Sequence, residues 1–241
     1  MPSCNYSNNF SKYFRSILKK NMSKPILLFD LDGTISDPLE GIARSFNYAL
    51  SSLGYAEKPI AEFAQYIGPP LDESFKIETG IDDDAKINAF ITKFRERYIE
   101  AGFSENELYP GIKESLVELS SRNVSMAICT SKRQDMAEKI LDLFEIRSHF
   151  QFVSGGDVGI QKWRQIESLL AKDAINPNAV MIGDRDIDLT AAHKNGIRSA
   201  GVLWGYGSRA ELEAQAPLHL FSKPSDIVKI ADRLEPIVSE S

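Results

Sequence analysis

The sequence predicts an α/β protein, a doubly wound parallel sheet with an inserted α-helical unit. Three observations point there. Short apolar runs bounded by Gly, Asp, Asn or Ser recur at 25–30 (PILLFD), 124–130 (VSMAICT), 150–153 (FQFV), 179–183 (AVMIG) and 198–203 (RSAGVL). They lack polar alternation and so read as strands covered on both faces. Amphipathic patterns fill the gaps between the later runs, as right-handed βαβ units require. The stretch 37–109 breaks that rhythm with helical patterns and no strand.

The elements follow in chain order. Residues 1–24 carry Lys12, Arg15, Lys19, Lys20 and Lys24 and no acid, with Phe10, Phe14, Ile17 and Leu18 on one helical face. That composition suits a transit peptide or a flexible extension ahead of Met22; the extension, over 1–23, is the expectation. After the first strand, 38–53 places Leu39, Ile42, Ala43, Phe46, Leu50 and Leu53 at helical spacing. The segment 84–101 does so with Ile87, Phe90, Ile91, Phe94 and Tyr98. These helices are expected to form a cap domain over 37–109, on a core domain of 24–36 and 110–241. Its hinges fall near Ser36-Asp37-Pro38 and Tyr109-Pro110-Gly111, where Pro and Gly interrupt regular structure. Gly68-Pro69-Pro70 reads as a stiff loop, either facing a site or joining two helices. Further helices are expected at 111–121 (Ile112, Leu116, Leu119) and 132–144 (Met136, Ile140, Leu143, Phe144). Two more fall at 163–171 and 186–195, the last closing on Asn195-Gly196.

Composition narrows the function. With 241 residues, 43% of them hydrophobic, the chain can bury a main core and a smaller one. A formal net charge of −6 without a basic stripe argues against a nucleic acid polymer as partner. No apolar run approaches the roughly 20 residues of a membrane span. Cys129, inside MAICT, reads as a buried reduced thiol, and with Cys4 the only other cysteine a cytoplasmic, reducing location is expected. His149, His193 and His219 lack metal-ligand spacing. No oligomeric state follows.

Ligands of a doubly wound sheet bind outside the carboxyl ends of its strands. The first strand ends in Asp30-Leu31-Asp32-Gly33-Thr34 and the second in Thr130-Ser131-Lys132. The fourth ends in Gly183-Asp184 and continues as Arg185-Asp186-Ile187-Asp188, while Lys162 opens the helix after the third. Asp30, Asp32 and Asp184 would thus crowd one edge and repel one another unless a cation intervened. Hard oxygen ligands without Cys or His suit Mg²⁺. Asp188, one turn beyond Asp184, is expected to support the ligands, and Asp186 to point elsewhere. A lysine and a hydroxyl supply donors to phosphoryl oxygens, giving a phosphoryl-transfer site with an aspartate nucleophile. Each feature has a plainer reading: an Asp-Gly turn, helix N-terminal acids, a surface lysine.

DLDGT at 30–34, Thr130, Lys162 and GDRDID at 183–188 occur in an order that resembles the haloacid dehalogenase superfamily of aspartate-nucleophile phosphatases. The helical insert is similar to that family's type 1 cap. IGPPLDESF at 67–75 and LWGYG at 203–207 resemble its phosphoglycolate phosphatase-like and 5′-nucleotidase members. The resemblance implies that Asp30 forms an aspartyl-phosphate and that Asp32 serves as acid and base. An acid at position 32 separates the chain from the dehalogenases. Mg²⁺ would be held by Asp30, the backbone carbonyl of Asp32 and Asp184. Gly33, Thr130, Ser131 and Lys162 would meet the phosphoryl group. Many members follow the third-motif lysine with Pro-x-Pro, whereas Lys162 precedes Trp163-Arg164-Gln165, so Lys132 and Lys172 stay open as alternatives. Trp204 and Tyr206 read as packing residues, and Arg44 as surface or an anion contact. The expected activity is hydrolysis of a small phosphorylated metabolite, 2-phosphoglycolate first and a nucleoside 5′-monophosphate next. A sugar-phosphate mutase is the alternative enzyme; a receiver-like or partner-binding protein is the alternative outside catalysis.

Overall fold

The computed structural model describes residues 25–157 and 159–233; the extension expected over 1–23 lies outside them. Strand β1 (Ile26–Phe29) leads through a tight turn to β2 (Ser36–Asp37), which pairs antiparallel with β3 (Glu107–Leu108). The outgoing and returning connections of the insertion, read from the sequence as two separate hinges, are therefore hydrogen-bonded to each other. Between them lie α1 (Leu39–Ser52), a 3₁₀ turn at Ile60–Tyr66, α2 (Leu71–Thr79) and α3 (Asp84–Glu100). Asp83 caps α3 by accepting from the Lys86 amide at 2.9 Å.

The inserted helices pack round an apolar cluster of their own. Phe46, Phe75 and Phe90 meet at its centre, with ring centroids 4.6 Å apart for Phe46–Phe90 and 4.5 Å for Phe75–Phe90. Met136, from the sheet side, joins this cluster and ties it to the rest of the molecule.

The main sheet is parallel. Its later elements are α4 (Ile112–Ser121), β4 (Ser125–Arg133), α5 (Gln134–Leu143) and β5 (Val153–Gly156). They continue with α6 (Lys162–Ala171), β6 (Val180–Gly183), α7 (Asp186–Lys194) and β7 (Arg198–Val202). The short α8 (Arg209–Glu213) and β8 (Leu220–Phe221) complete it, in the strand order β5-β4-β1-β6-β7-β8. Alternate residues of β1 serve opposite layers: Leu27 and Phe29 join the cluster with Ile112, Leu116 and Ile140, whereas Ile26 and Leu28 join Ile166 and Ala191. That two-sided burial is why the strand reads as unbroken apolar sequence.

Two expectations need correction. The strand expected at 150–153 is β5 at Val153–Gly156, because Phe150 is spent on the core, edge-on to Phe29 at 6.1 Å, while Val-Ser-Gly-Gly forms the ladder. In the helix expected over 132–144, β4 continues through Arg133, and the inward residue is Leu141, with Leu143 45% exposed. Among the described residues no helix is long and apolar enough to cross a membrane.

Candidate active site

β1 pairs with β4 on one side and β6 on the other, so the chain reverses direction across the sheet at β1. A crevice opens at the carboxyl ends of strands where the order reverses in this way. The residue after β1 is Asp30, whose amide donates to the Ile182 carbonyl at 2.9 Å. Thr130 of β4 stands on one side of it and Asp184, following β6, on the other. All three are buried.

Asp30, Asp184 and Asp188 form the acidic cluster, with one carboxylate oxygen from each lying within 4.8 Å of the other two. The trio of carboxylates expected from the sequence, Asp30, Asp32 and Asp184, is not what converges. The Asp32 carboxylate turns instead to Lys132, whose Nζ lies 2.8 Å from Oδ2. Asp188 occupies the place beside Asp184, because the first turn of α7 brings it back over β6. Its two oxygens are engaged by Lys162 Nζ and by the Arg185 amide at 3.1 Å. Asp186 is exposed, as expected.

Lys162 is 2% exposed and ion-paired with both Asp188 and Asp30, the latter at 3.0 Å. Asp30 Oδ1 faces that ammonium group off the hydrogen-bonding direction and has no hydrogen-bond partner. Burial opposes the lysine's charge, yet Asp188 and Asp30 outweigh it and hold its pKa above the ordinary value. Burial, reinforced by Asp188 and Asp30, pushes Asp184 well above the usual carboxylate range. Asp188 is also raised, by burial, with Lys162 opposing. Three buried carboxylates against one lysine leave an excess of negative charge. Hard oxygens, one of them without a hydrogen bond, in a pocket with excess negative charge fit a small divalent cation.

The loop 203–207 wraps this cluster. The Tyr206 amide donates to Asp184 Oδ2 at 2.8 Å, the Trp204 indole donates to the Thr34 carbonyl at 3.1 Å, and the Tyr206 hydroxyl donates to Asp37. Glycine is required where these chains meet. Gly33 has φ +80°, and a Cβ there would lie 2.1 Å from Asp184 Oδ2; one at Gly205 would lie 2.3 Å from the Gly33 carbonyl. Gly33, expected to meet the phosphoryl group, therefore first spares room for Asp184.

Above the strand ends a cavity is bounded by Asp30, Asp32, Thr130, Ser131 and Lys132 below and by the inserted helices above. Gly68, Pro69 and Pro70 line it, deciding between the two readings of that loop. Polar links cross from insertion to sheet: Arg185 donates to the Ile67 carbonyl at 2.8 Å, and Arg95 pairs with Asp157 at 2.6 Å. Arg44 pairs with Glu40 and Glu105 and does not line the cavity. Sequence reasoning missed Arg185 and Tyr98 and weighed Lys132 only as an alternative to Lys162. Its place two residues after Thr130 was the one available signal.

The family model described as haloacid dehalogenase-like hydrolase matches residues 27–202. A 5′-nucleotidase from Pseudomonas aeruginosa is 38% identical over 81% of this chain and 90% of its own. A phosphoglycolate phosphatase from Aquifex aeolicus is 30% identical over 86% of this chain and 96% of its own. Among solved structures, a haloacid dehalogenase-like family hydrolase from Streptococcus pneumoniae superposes with a TM-score of 0.79 at 29% identity. It covers 87% of this chain and 99% of that one. The fold and the acidic strand-end site thus define a hydrolase of the phosphoryl-transfer kind. The chain belongs to the haloacid dehalogenase-like hydrolase family, on its phosphatase side.

Proposed function

We propose that the protein is a Mg²⁺-dependent phosphomonoesterase that works through an aspartyl-phosphate on Asp30. The observation that carries this reading is the buried cluster of Asp30, Asp184 and Asp188 with Lys162 at the junction of β1, β4 and β6. Asp30 and Asp184, with the Asp32 backbone carbonyl, would hold the cation; Asp188, already engaged through both oxygens, would orient Lys162. The ion, when bound, supplies positive charge that lessens repulsion between the nucleophile and the phosphate.

In the first half-reaction an Asp30 oxygen attacks phosphorus and the bond to the leaving oxygen breaks. Asp32 delivers a proton to that oxygen. In the second, water gives a proton to Asp32 and attacks phosphorus, and inorganic phosphate leaves Asp30. Thr130, Ser131 and Lys162 donate to the phosphoryl oxygens, and Gly33 keeps the turn beneath them open. Closure of the inserted helices as a cap domain would exclude bulk water while the ester reacts. Buried, reduced Cys129 suits a cytoplasmic location.

We infer a substrate whose leaving group offers an apolar face. Ile42, Phe46, Phe94, Ile99 and Met136 form much of the cavity wall, while its cations, Lys132, Arg95 and Arg133, are each paired with an acid. A free carboxylate such as that of 2-phosphoglycolate would compete with those acids, whereas a nucleoside would lie against apolar surface. On this ground we rank a nucleoside 5′-monophosphate first, reversing the order expected from the sequence. Values of kcat/KM for nucleoside monophosphates, 2-phosphoglycolate, a hexose phosphate and a phosphopeptide test it. The nucleotide is expected to lead by about tenfold. Preference for phosphoglycolate would reverse the ranking, and preference for the peptide would remove the small-metabolite reading. Multiple turnovers releasing phosphate separate a hydrolase from a mutase.

Cation binding has a thermodynamic signature. Asp184 and Asp188 are raised above the unfolded value of 3.8, Asp188 to about 6, so the folded protein holds more protons than the unfolded chain. Their contribution to stability is therefore present at low pH and lost as pH rises through the folded values. Mg²⁺ is expected to raise Tm more at about pH 7.5 than at about pH 5, with little effect on Asp184→Asn. A Mg²⁺ shift independent of pH, or undiminished in the variant, would place the ion elsewhere.

A further inference from the structure

The hydrolytic scheme gives Lys132 no part. Its side chain is 8% exposed, and its Nζ reaches Asp32 Oδ2 at 2.8 Å and the Tyr98 hydroxyl at 2.7 Å. The same ammonium group sits 4.6 Å from the Tyr98 ring centroid. Tyr98, 4% exposed, belongs to α3 of the insertion. Its hydroxyl accepts from Asn106 Nδ2 at 3.3 Å, and the Ser36 hydroxyl donates to Asn106 Oδ1 at 3.2 Å. One polar chain thus runs Asp32–Lys132–Tyr98–Asn106–Ser36, through the strand-end turn, β4, the inserted helices and both connections. Asp32 Oδ1, meanwhile, is shielded from solvent and has no hydrogen-bond partner.

We infer that Lys132 and Tyr98 are positioning residues for Asp32: together they pin one carboxylate oxygen and leave the other facing the leaving group when the inserted helices are seated. This rests on the phosphatase reading and deepens it. The alternative, that Lys132 is the lysine serving the transferred phosphoryl group, fits less well. That position beside Asp30 is taken by Lys162, while Lys132 is held between Asp32 and an aromatic hydroxyl. Burial disfavours the Lys132 charge, but Asp32 and Tyr98 more than restore it, so the lysine remains a fixed cation. An ion fixed at both ends holds its partner in one rotamer, as a loose surface lysine would not.

The consequence is selective. In the first half-reaction the P–O bond to the leaving group breaks and the Asp32 proton passes to that oxygen. An alkyl phosphate, whose alkoxide is strongly basic, needs that proton; p-nitrophenyl phosphate, whose phenolate leaves unaided, does not. Because kcat/KM covers events only up to release of the alcohol, it isolates this step, whereas kcat also includes attack by water, for which Asp32 is the base.

The test compares both esters in the parent, Tyr98→Phe, Lys132→Met and Lys132→Arg. For Tyr98→Phe, which keeps the ring, kcat/KM for the alkyl ester is expected to fall about tenfold, and that for the nitrophenyl ester by less than about twofold. Lys132→Met should widen the gap to about a hundredfold, and Lys132→Arg should recover part of it. Combining Tyr98→Phe with Asp32→Asn should lower alkyl-ester kcat/KM no further than Asp32→Asn alone, since both act through one carboxylate. Equal losses on the two esters, no loss on either, or additive losses in the double variant would overturn the inference. A parent inactive toward both esters would instead remove the phosphatase reading, and this inference with it. Tyr98→Phe keeps the test decisive if Lys132→Met, which leaves Asp32 without its buried counter-ion, fails to fold.

Discussion

Asp30→Asn is expected to lower turnover of every phosphate ester by at least about a thousandfold while leaving the protein folded. The side chain lies at the carboxyl end of β1, its backbone fixed to β6 through the Ile182 carbonyl. An amide of the same shape preserves that placement but has no anionic oxygen to bond phosphorus. Stability should not suffer. Three carboxylates share this buried space with one lysine, and neutralising one of them relieves repulsion. The variant should melt at or above the parent temperature in the absence of Mg²⁺. Substantial turnover by a folded Asp30→Asn protein would mean that water attacks the ester directly, and the covalent scheme would fall.

Lys162→Met is expected to cost both activity and fold. The side chain is buried at the start of α6, and its ammonium group faces Asp188 and Asp30. Methionine fills similar volume but leaves two buried carboxylates without their cation. Removing one partner of a buried ion pair typically costs about 3–5 kcal/mol. In a chain of this size that is about 10 °C in Tm. Mg²⁺ should restore part of the loss, because a divalent cation can share the orphaned charge. Melting curves with and without Mg²⁺ check this; an unchanged Tm in the metal-free variant would show that Lys162 does not balance the acids. Hydrolysis should fall by at least about a hundredfold even in the folded fraction, because a donor to the phosphoryl oxygens is gone.

Much of this site was legible because the chemistry sits at strand ends and the strands are buried on both faces. An apolar run stopping at Asp30, another at Thr130 and a third at Gly183-Asp184 put three elements on one edge before any contact was known. What escaped had physical causes. β5 was misplaced because Val-Ser-Gly-Gly has little strand propensity, while the more strand-like Phe150–Val153 segment serves largely for packing. The two-residue strands β2, β3 and β8 are too short to carry a period. The partition of acids was invisible because it depends on which lysine each finds. Lys132 is a hundred positions from Asp32, and nothing local says that it draws that carboxylate out of the cluster. Tyr98 was read correctly as an inward residue of its helix, but periodicity reports the ring and is silent about the hydroxyl.

The pairing of β2 with β3 brings the two ends of the insertion together at one narrow doorway beside the sheet. The chain therefore leaves the sheet and rejoins it at one point, so strand order is kept whatever the length of the insertion, while Lys132 and Tyr98 join the insertion to the turn bearing Asp30 and Asp32. Both chain crossings between sheet and insertion thus run side by side, next to the turn that carries the two aspartates of the first strand end.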